Sequence, residues 1–192
     1  MRDFRHGEVV WYAVGCFYAW RDGSTQDVGY FAELCDLAAP FTGAPGPASA
    51  HFTFAAEPFR STPLPPNDPG DSFAASIDPP GRFTIYYQAE PMADFARPET
   101  FRRGLAIASF ERVSPVVGGS TVYAAGVQFT AVLTRATPFE HRGLRFDLAT
   151  PIGTGITQTG FAGAPFTPAA RDATSARSFV GSAVRVAVTP RS

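Results

Sequence analysis

Lysine is absent from this 192-residue chain, and all sixteen basic side chains are arginine. Without a lysine amine there is no Schiff-base chemistry, no covalent pyridoxal anchor and no phosphate-loop lysine. Cysteine is almost as scarce: Cys16 and Cys35 are the only two, with no CxxC spacing. Both fall in apolar, strand-like stretches where a free thiol behaves as a small hydrophobe, although a disulfide between neighbouring strands stays open. The three histidines, His6, His51 and His141, form no HxH or HExxH pattern, so no metal is expected. Glu140 and His141 are neighbours, but adjacent strand residues point to opposite faces and make no chelate. Nor does charge of one sign prevail: 16 basic residues meet 17 acidic ones. That balance leaves no basic stripe for nucleic acid and no acidic tail for a basic partner. No apolar run reaches the length of a membrane-spanning helix. The opening residues MRDFRHGEVVWYAVGCFYAW lack a small-residue cleavage site and read as a strand rather than a leader. The expected location is therefore the cytoplasm, and the expected cofactor set is none.

Turn formers and aromatics are plentiful. Glycine, proline and phenylalanine each number 18, and 45% of the chain is hydrophobic. A helix interior loses about 3 kcal/mol for each proline it takes, so this punctuation excludes a helical bundle. The hydrophobic content suits a folded core, and the length suits one domain spanning 1–192.

Strand patterns dominate. Residues 8–20 are apolar on both faces, the turn RDGS at 21–24 follows, and QDVGYFAEL at 26–34 reads as the hairpin partner. A third strand is expected near 50–57. The breaker segments STPLPPNDPGDS (61–72) and DPPG (78–81) bracket a short piece placed across one end of the fold. RFTIYYQAE at 82–90 alternates cleanly, with Arg82, Thr84, Tyr86, Gln88 and Glu90 on one face and Phe83, Ile85, Tyr87 and Ala89 on the other. PMADFARPETFRR (91–103) is the one modest helix candidate. Further strands are expected at 104–113, 120–134, near 143–149, near 151–161 and at 178–189, with Gly126 marking a bulge or bend in the long one. The intervening AGAPFTPAARDATSA reads as a surface excursion. Strands with two apolar faces are best buried in a closed barrel. The expectation is an all-β, single-domain antiparallel β-barrel of about eight or nine strands with at most one or two short helical turns.

Glu111 to Ser120 (ERVSPVVGGS), followed by Tyr123-Ala124-Ala125-Gly126, resembles a stretch of the allene oxide cyclase and dirigent β-barrels, to which bacterial spirotetronate cyclases are similar. In that resemblance paired glycines make a tight turn and Gly126 lets the following strand coil. It implies a cofactor-free barrel whose lumen shapes a reactive small molecule. It implies no particular catalytic residue, and roughly 60 residues follow here where those families end.

The remaining motifs carry little. Gly153, Gly155 and Gly160 make no dinucleotide fingerprint, there is no GxSxG elbow, and His51 reads as a satisfied or exposed histidine before it reads as a base. The aromatic and amide side chains within strands say more. Tyr12, Tyr18 and Trp20 share one face of the first strand, Tyr86, Gln88 and Glu90 one face of the fourth, Tyr123 lies on the apolar face of the long strand, and Gln128 and Gln158 interrupt theirs. Directed into a barrel, these groups would form an apolar pocket with a few hydrogen-bonding contacts. Tyr86 and Glu90 are then the candidate catalytic pair, since a buried Glu90 beside aromatics would serve as an acid or base. Tyr12, Tyr18, Trp20, Gln88, Tyr123, Gln128 and Gln158 are the candidate substrate contacts. The leading expectation is a cofactor-free cyclase or isomerase acting on an apolar, polyketide- or lipid-like molecule. A non-catalytic binding or carrier barrel is the alternative, and a structural homo-oligomer joined by apolar outer faces is the third reading.

Overall fold

The computed structural model describes residues 2–63, 73–77, 81–113, 117–120 and 125–188. In chain order the strands are β1 (Val9–Trp20), β2 (Thr25–Leu34), β3 (Phe52–Ala56), β4 (Ser61–Pro63), β5 (Phe73–Ile77), β6 (Arg82–Tyr87), β7 (Leu105–Arg112), β8 (Val117–Ser120), β9 (Ala125–Ala136), β10 (Phe139–His141), β11 (Leu144–Phe146), β12 (Gly155–Ala162) and β13 (Ala173–Val186). One short helix, α1 (Ala149–Ile152), and two 3-10 turns, Pro47–Ser49 and Pro98–Arg102, complete the set. The helix candidate at 91–103 thus contributes a single 3-10 turn.

The strands β12-β13-β1-β2-β3-β6-β7-β9 are joined edge to edge, and β9 pairs back onto β12. Eight antiparallel strands therefore close into a barrel, which leaves no open edge within the ring. Beyond the ring, β8, β5 and β4 extend from β9 as an arm, and β10 and β11 form a separate hairpin. The short piece between the two breaker segments is β5, a strand of that arm.

Alternation decides what fills the lumen. From β1 come Trp11, Ala13 and Phe17, from β2 Phe31, from β3 Phe52 and Phe54, from β6 Phe83 and Ile85, from β7 Phe110, and from β9 Phe129 and Ala131. Trp11 meets Phe31 and Phe110 edge-on at 5.5 and 5.7 Å, while Phe83 and Phe110 stack at 4.6 Å. These offset and edge-to-face contacts add to the burial of large rings. Room for two of the rings comes from Gly15 and Gly29, which face each other across β1 and β2. A Cβ on Gly15 would collide with the Phe179 ring, and one on Gly29 with the Phe54 ring and the Val14 carbonyl. The rings lie over the strand where side chains would otherwise stand.

A second apolar cluster covers the outside of β1, β2 and β3. Tyr18, Cys16, Val28, Ala55, Phe101, Ala93, Ala170 and Ala176 are buried there, with Trp20, Tyr30, Tyr86 and Phe95 packed around them. The segment after β6 and the excursion between β12 and β13 supply the cover, the latter through a bridge between Phe166 and Ala176. This cover explains the apolar outer face of β1 at Cys16, Tyr18 and Trp20.

Several local expectations change. β6 ends at Tyr87, and β13 begins at Ala173, five residues before the expected start. Gly126 sits in regular register against both Phe161 and Gly119; the irregularity in β9 falls opposite Ser109 and Phe110 instead. Gly118 and Gly119 are strand residues paired with Val127 and Gly126, not a turn. Cys16 and Cys35 are both free and buried, one in the outer cluster and one in the lumen core, so the disulfide is excluded. Among the described residues no helix is long and apolar enough to cross a membrane.

Candidate functional site

Inside the barrel lies a cavity of about 40 Å³. One water fills about 10–15 Å³ on this scale, so the space suits about three waters or a compact fragment of equal bulk. Its walls are mostly rings, including Phe17, Phe54, Phe83 and Phe129; its polar lining side chains are Asp27 and Gln158, with the indole of Trp11 beside them.

Gln158 stands on β12 in the inward register, between Ile156 and Gly160. Its Oε1 accepts a hydrogen bond from Trp11 Nε1 at 2.8 Å. Its Nε2 has no hydrogen-bond partner among the described residues, although the residue is only 8% exposed.

Asp27 is held by Arg112, the last residue of β7. Nη2 of the guanidinium lies 3.3 Å from Oδ1 and 3.5 Å from Oδ2, and the two side chains are 3% and 9% exposed. The guanidinium carbon is 4.7 Å from the Phe129 ring centre, 5.3 Å from Phe59 and 5.8 Å from Phe83. Arginine suits such an aromatic surround because its planar cation is weakly hydrated. Nε and Nη1 are nevertheless buried without a hydrogen-bond partner among the described residues. Buried donors left unpaired carry the desolvation penalty of their group, which makes this end of the lumen polar and under-satisfied.

At the opposite end two histidines are tied to backbone carbonyls. His51 Nδ1 lies 2.8 Å from the Gln88 carbonyl and therefore donates to it. His141 Nε2 lies 3.2 Å from the Ala38 carbonyl, which leaves Nδ1 to accept from the Tyr87 hydroxyl at 3.4 Å. The two imidazoles meet edge-on at 4.9 Å. Burial pushes the His141 pKa below the usual histidine value, and the nearby His51 acts in the same direction.

The sequence candidates scatter around this site. Gln158 lines the cavity. Tyr12 lies on the outer face and is 49% exposed, beside the exposed Phe161 and Val180. Tyr18 and Trp20 also point outward, stacked at 5.6 Å in the outer cluster, and the Tyr18 hydroxyl donates to the Phe95 carbonyl at 2.7 Å. Tyr86 belongs to that same cluster, while Glu90 is exposed beyond the end of β6. Gln88 is buried but fully used: Nε2 donates to Thr53 Oγ1 and the Thr100 carbonyl, and Oε1 accepts from the Met92 amide. It ties the covering segment to β3. Gln128 points outward into solvent, and Tyr123 lies outside the described residues. The structure therefore gathers Tyr18, Trp20 and Tyr86 outside the barrel and leaves Gln158 alone within it.

Sequence reading missed Asp27 and Arg112. The signal was present, since Asp27 alternates in phase with Gly29 and Phe31, and Arg112 with Phe110. Two opposite charges in phase with apolar faces on different strands form the pattern of a buried ion pair.

Among the described residues no group of three or more His, Cys, Asp or Glu side chains converges as a metal site would require. Compared with protein-family models, curated proteins and solved structures, the chain matches none.

Proposed function

We propose that this protein takes up a compact, largely apolar molecule in the lumen of its barrel. The observation that carries this reading is a ring-walled cavity faced by one carboxylate and by one amide whose N–H₂ end has no partner among the described residues. Small-molecule sites have this make-up: apolar walls with a few convergent polar groups that set orientation. A ligand bulkier than the cavity must displace some of the rings that wall it. Native mass spectrometry of the purified protein, followed by denaturation and organic extraction, tests the reading. A stoichiometric small molecule released on unfolding supports it; bare polypeptide mass that stays unchanged after incubation with compact apolar compounds counts against it.

A second reading adds turnover. Asp27 is a carboxylate facing an apolar cavity and oriented by a buried cation, an arrangement suited to moving a proton within a bound molecule. Nearby N–H groups would steady the developing negative charge. Such chemistry is of the cofactor-independent cyclase or isomerase type, which the resemblance of residues 111–126 also implies. Asp27→Asn should then abolish turnover while ligand retention persists, and undiminished turnover would remove Asp27 from the mechanism.

A further inference from the structure

We infer that the lumen ligand is a neutral carbonyl compound whose oxygen is held by Nε2 of Gln158. This rests on the lumen-binding reading and narrows it to one ligand chemistry. The indole Nε1–H of Trp11 can only donate, so the Gln158 atom 2.8 Å from it must be the amide oxygen. The orientation of the amide follows from chemistry, and the N–H₂ end is the one left free.

That free end has a place prepared for it. Gly181 lies diagonally across from Gln158 on β13, opposite Gly160, and a Cβ there would collide with Nε2. Gln158 is 8% exposed and lines the cavity, and no other described side chain serves its donors, so they open onto the cavity. Nε and Nη1 of Arg112, buried behind Asp27 and unpaired among the described residues, do not line the cavity. Of the side chains that line the cavity, Asp27 is engaged by Arg112 and the Trp11 indole by Gln158, so Nε2 of Gln158 is the donor left to call for an acceptor oxygen. Asp27 already neutralises Arg112. A ligand carboxylate would leave a buried net negative charge, whereas a ketone or aldehyde oxygen would not.

The test uses two probes of one shape: cyclobutanone and methylenecyclobutane, in which a =CH₂ group replaces the carbonyl oxygen. Each is titrated into ¹⁵N-labelled protein while the indole N–H resonance of Trp11, identified with a Trp11→Phe control, is followed. The ketone is expected to bind about tenfold more tightly, the change that one good hydrogen bond produces, and to move the Trp11 resonance. Gln158→Met keeps the side-chain length and should erase that preference while hydrocarbon affinity remains. Gln158→Glu, which keeps an oxygen toward Trp11 but removes the donor, should erase it as well. Equal affinity for both probes in the native protein overturns the carbonyl assignment and leaves lumen binding standing. Binding of neither probe overturns both.

Discussion

Where β1 begins and β2 ends, the lumen is stopped by side chains from outside the ring: Phe4, Phe139 from β10, and Leu148 and Ile152 around α1, all buried. The polar groups there are two imidazoles, each with a carbonyl to bond. Where β1 ends and β2 begins, the same ring of strands closes around Arg112 and Asp27, a charged pair in contact through one guanidinium nitrogen. One end ties each imidazole to a carbonyl, and the other keeps buried guanidinium donors that are unpaired among the described residues. A fold optimised only for stability would treat both ends alike, because buried ion pairs contribute little net stability compared with apolar packing. The incomplete end and the cavity beside it are where a ligand has something to add.

The largest expected effect comes from breaking the charged end. Asp27→Ala leaves an uncompensated guanidinium in a ring-walled site and should cost about 3–5 kcal/mol in urea denaturation. The double replacement Asp27→Leu with Arg112→Met should recover most of that loss. If the single variant is as stable as the native protein, the ion pair is hydrated and the contrast between the ends collapses.

The histidine end should respond to acid. His141 has a folded pKa below the unfolded value of about 6.5, so the unfolded chain binds more protons as pH falls through that point. The contribution of His141 to stability is therefore complete above pH 6.5 and is lost progressively below it, toward the lower folded pKa. His51, the Tyr87 hydroxyl and Arg142 surround the ring, and none supplies a negative charge to offset the proton. Denaturation midpoints measured from pH 7.5 to 5 should slope downward in the native protein and flatten in His141→Phe.

Gly160→Ala should sharpen the comparison at little cost to the fold. Gly160 lines the cavity, and its nearest neighbour for an added Cβ is the Val180 carbonyl at an ordinary 3.4 Å. Stability should change by less than about 1 kcal/mol, while retention of any lumen ligand falls. Unaltered retention would place the ligand elsewhere. Smallest of all should be the effects of Tyr86→Phe and Glu90→Gln, within about 0.5 kcal/mol of native stability and with unchanged lumen binding. If turnover followed these two residues instead of Asp27, the reactive site would lie on the outer face.

Much of the architecture was readable from residue order. The Val9–Trp20 and Thr25–Leu34 hairpin shows in its RDGS turn, and β6 shows in the alternation of Phe83, Ile85 and Tyr87. The site was less readable. Tyr12, Tyr18 and Trp20 share a face as alternation required, but Trp11, Ala13 and Phe17 on the opposite face enter the lumen. One face of β1 lies in the barrel, and the other is covered at Cys16 and Tyr18 by residues distant in sequence while Tyr12 stays exposed. Gln88 and Gln158 look alike in sequence, yet one tethers a loop and the other faces a cavity.

Period-two alternation, glycine and proline punctuation and the absence of lysine thus determined by themselves that this chain forms an all-β barrel without lysine-dependent chemistry. Local backbone preference and the two-residue repeat of a strand are properties of neighbouring residues, so order alone carries them. Tertiary structure alone decided which face turns inward, that Asp27 and Arg112 meet across 85 positions of chain, and that Gln158 keeps a free amide. Those outcomes depend on ring closure and on which distant segment covers the outer wall, and no local pattern records either.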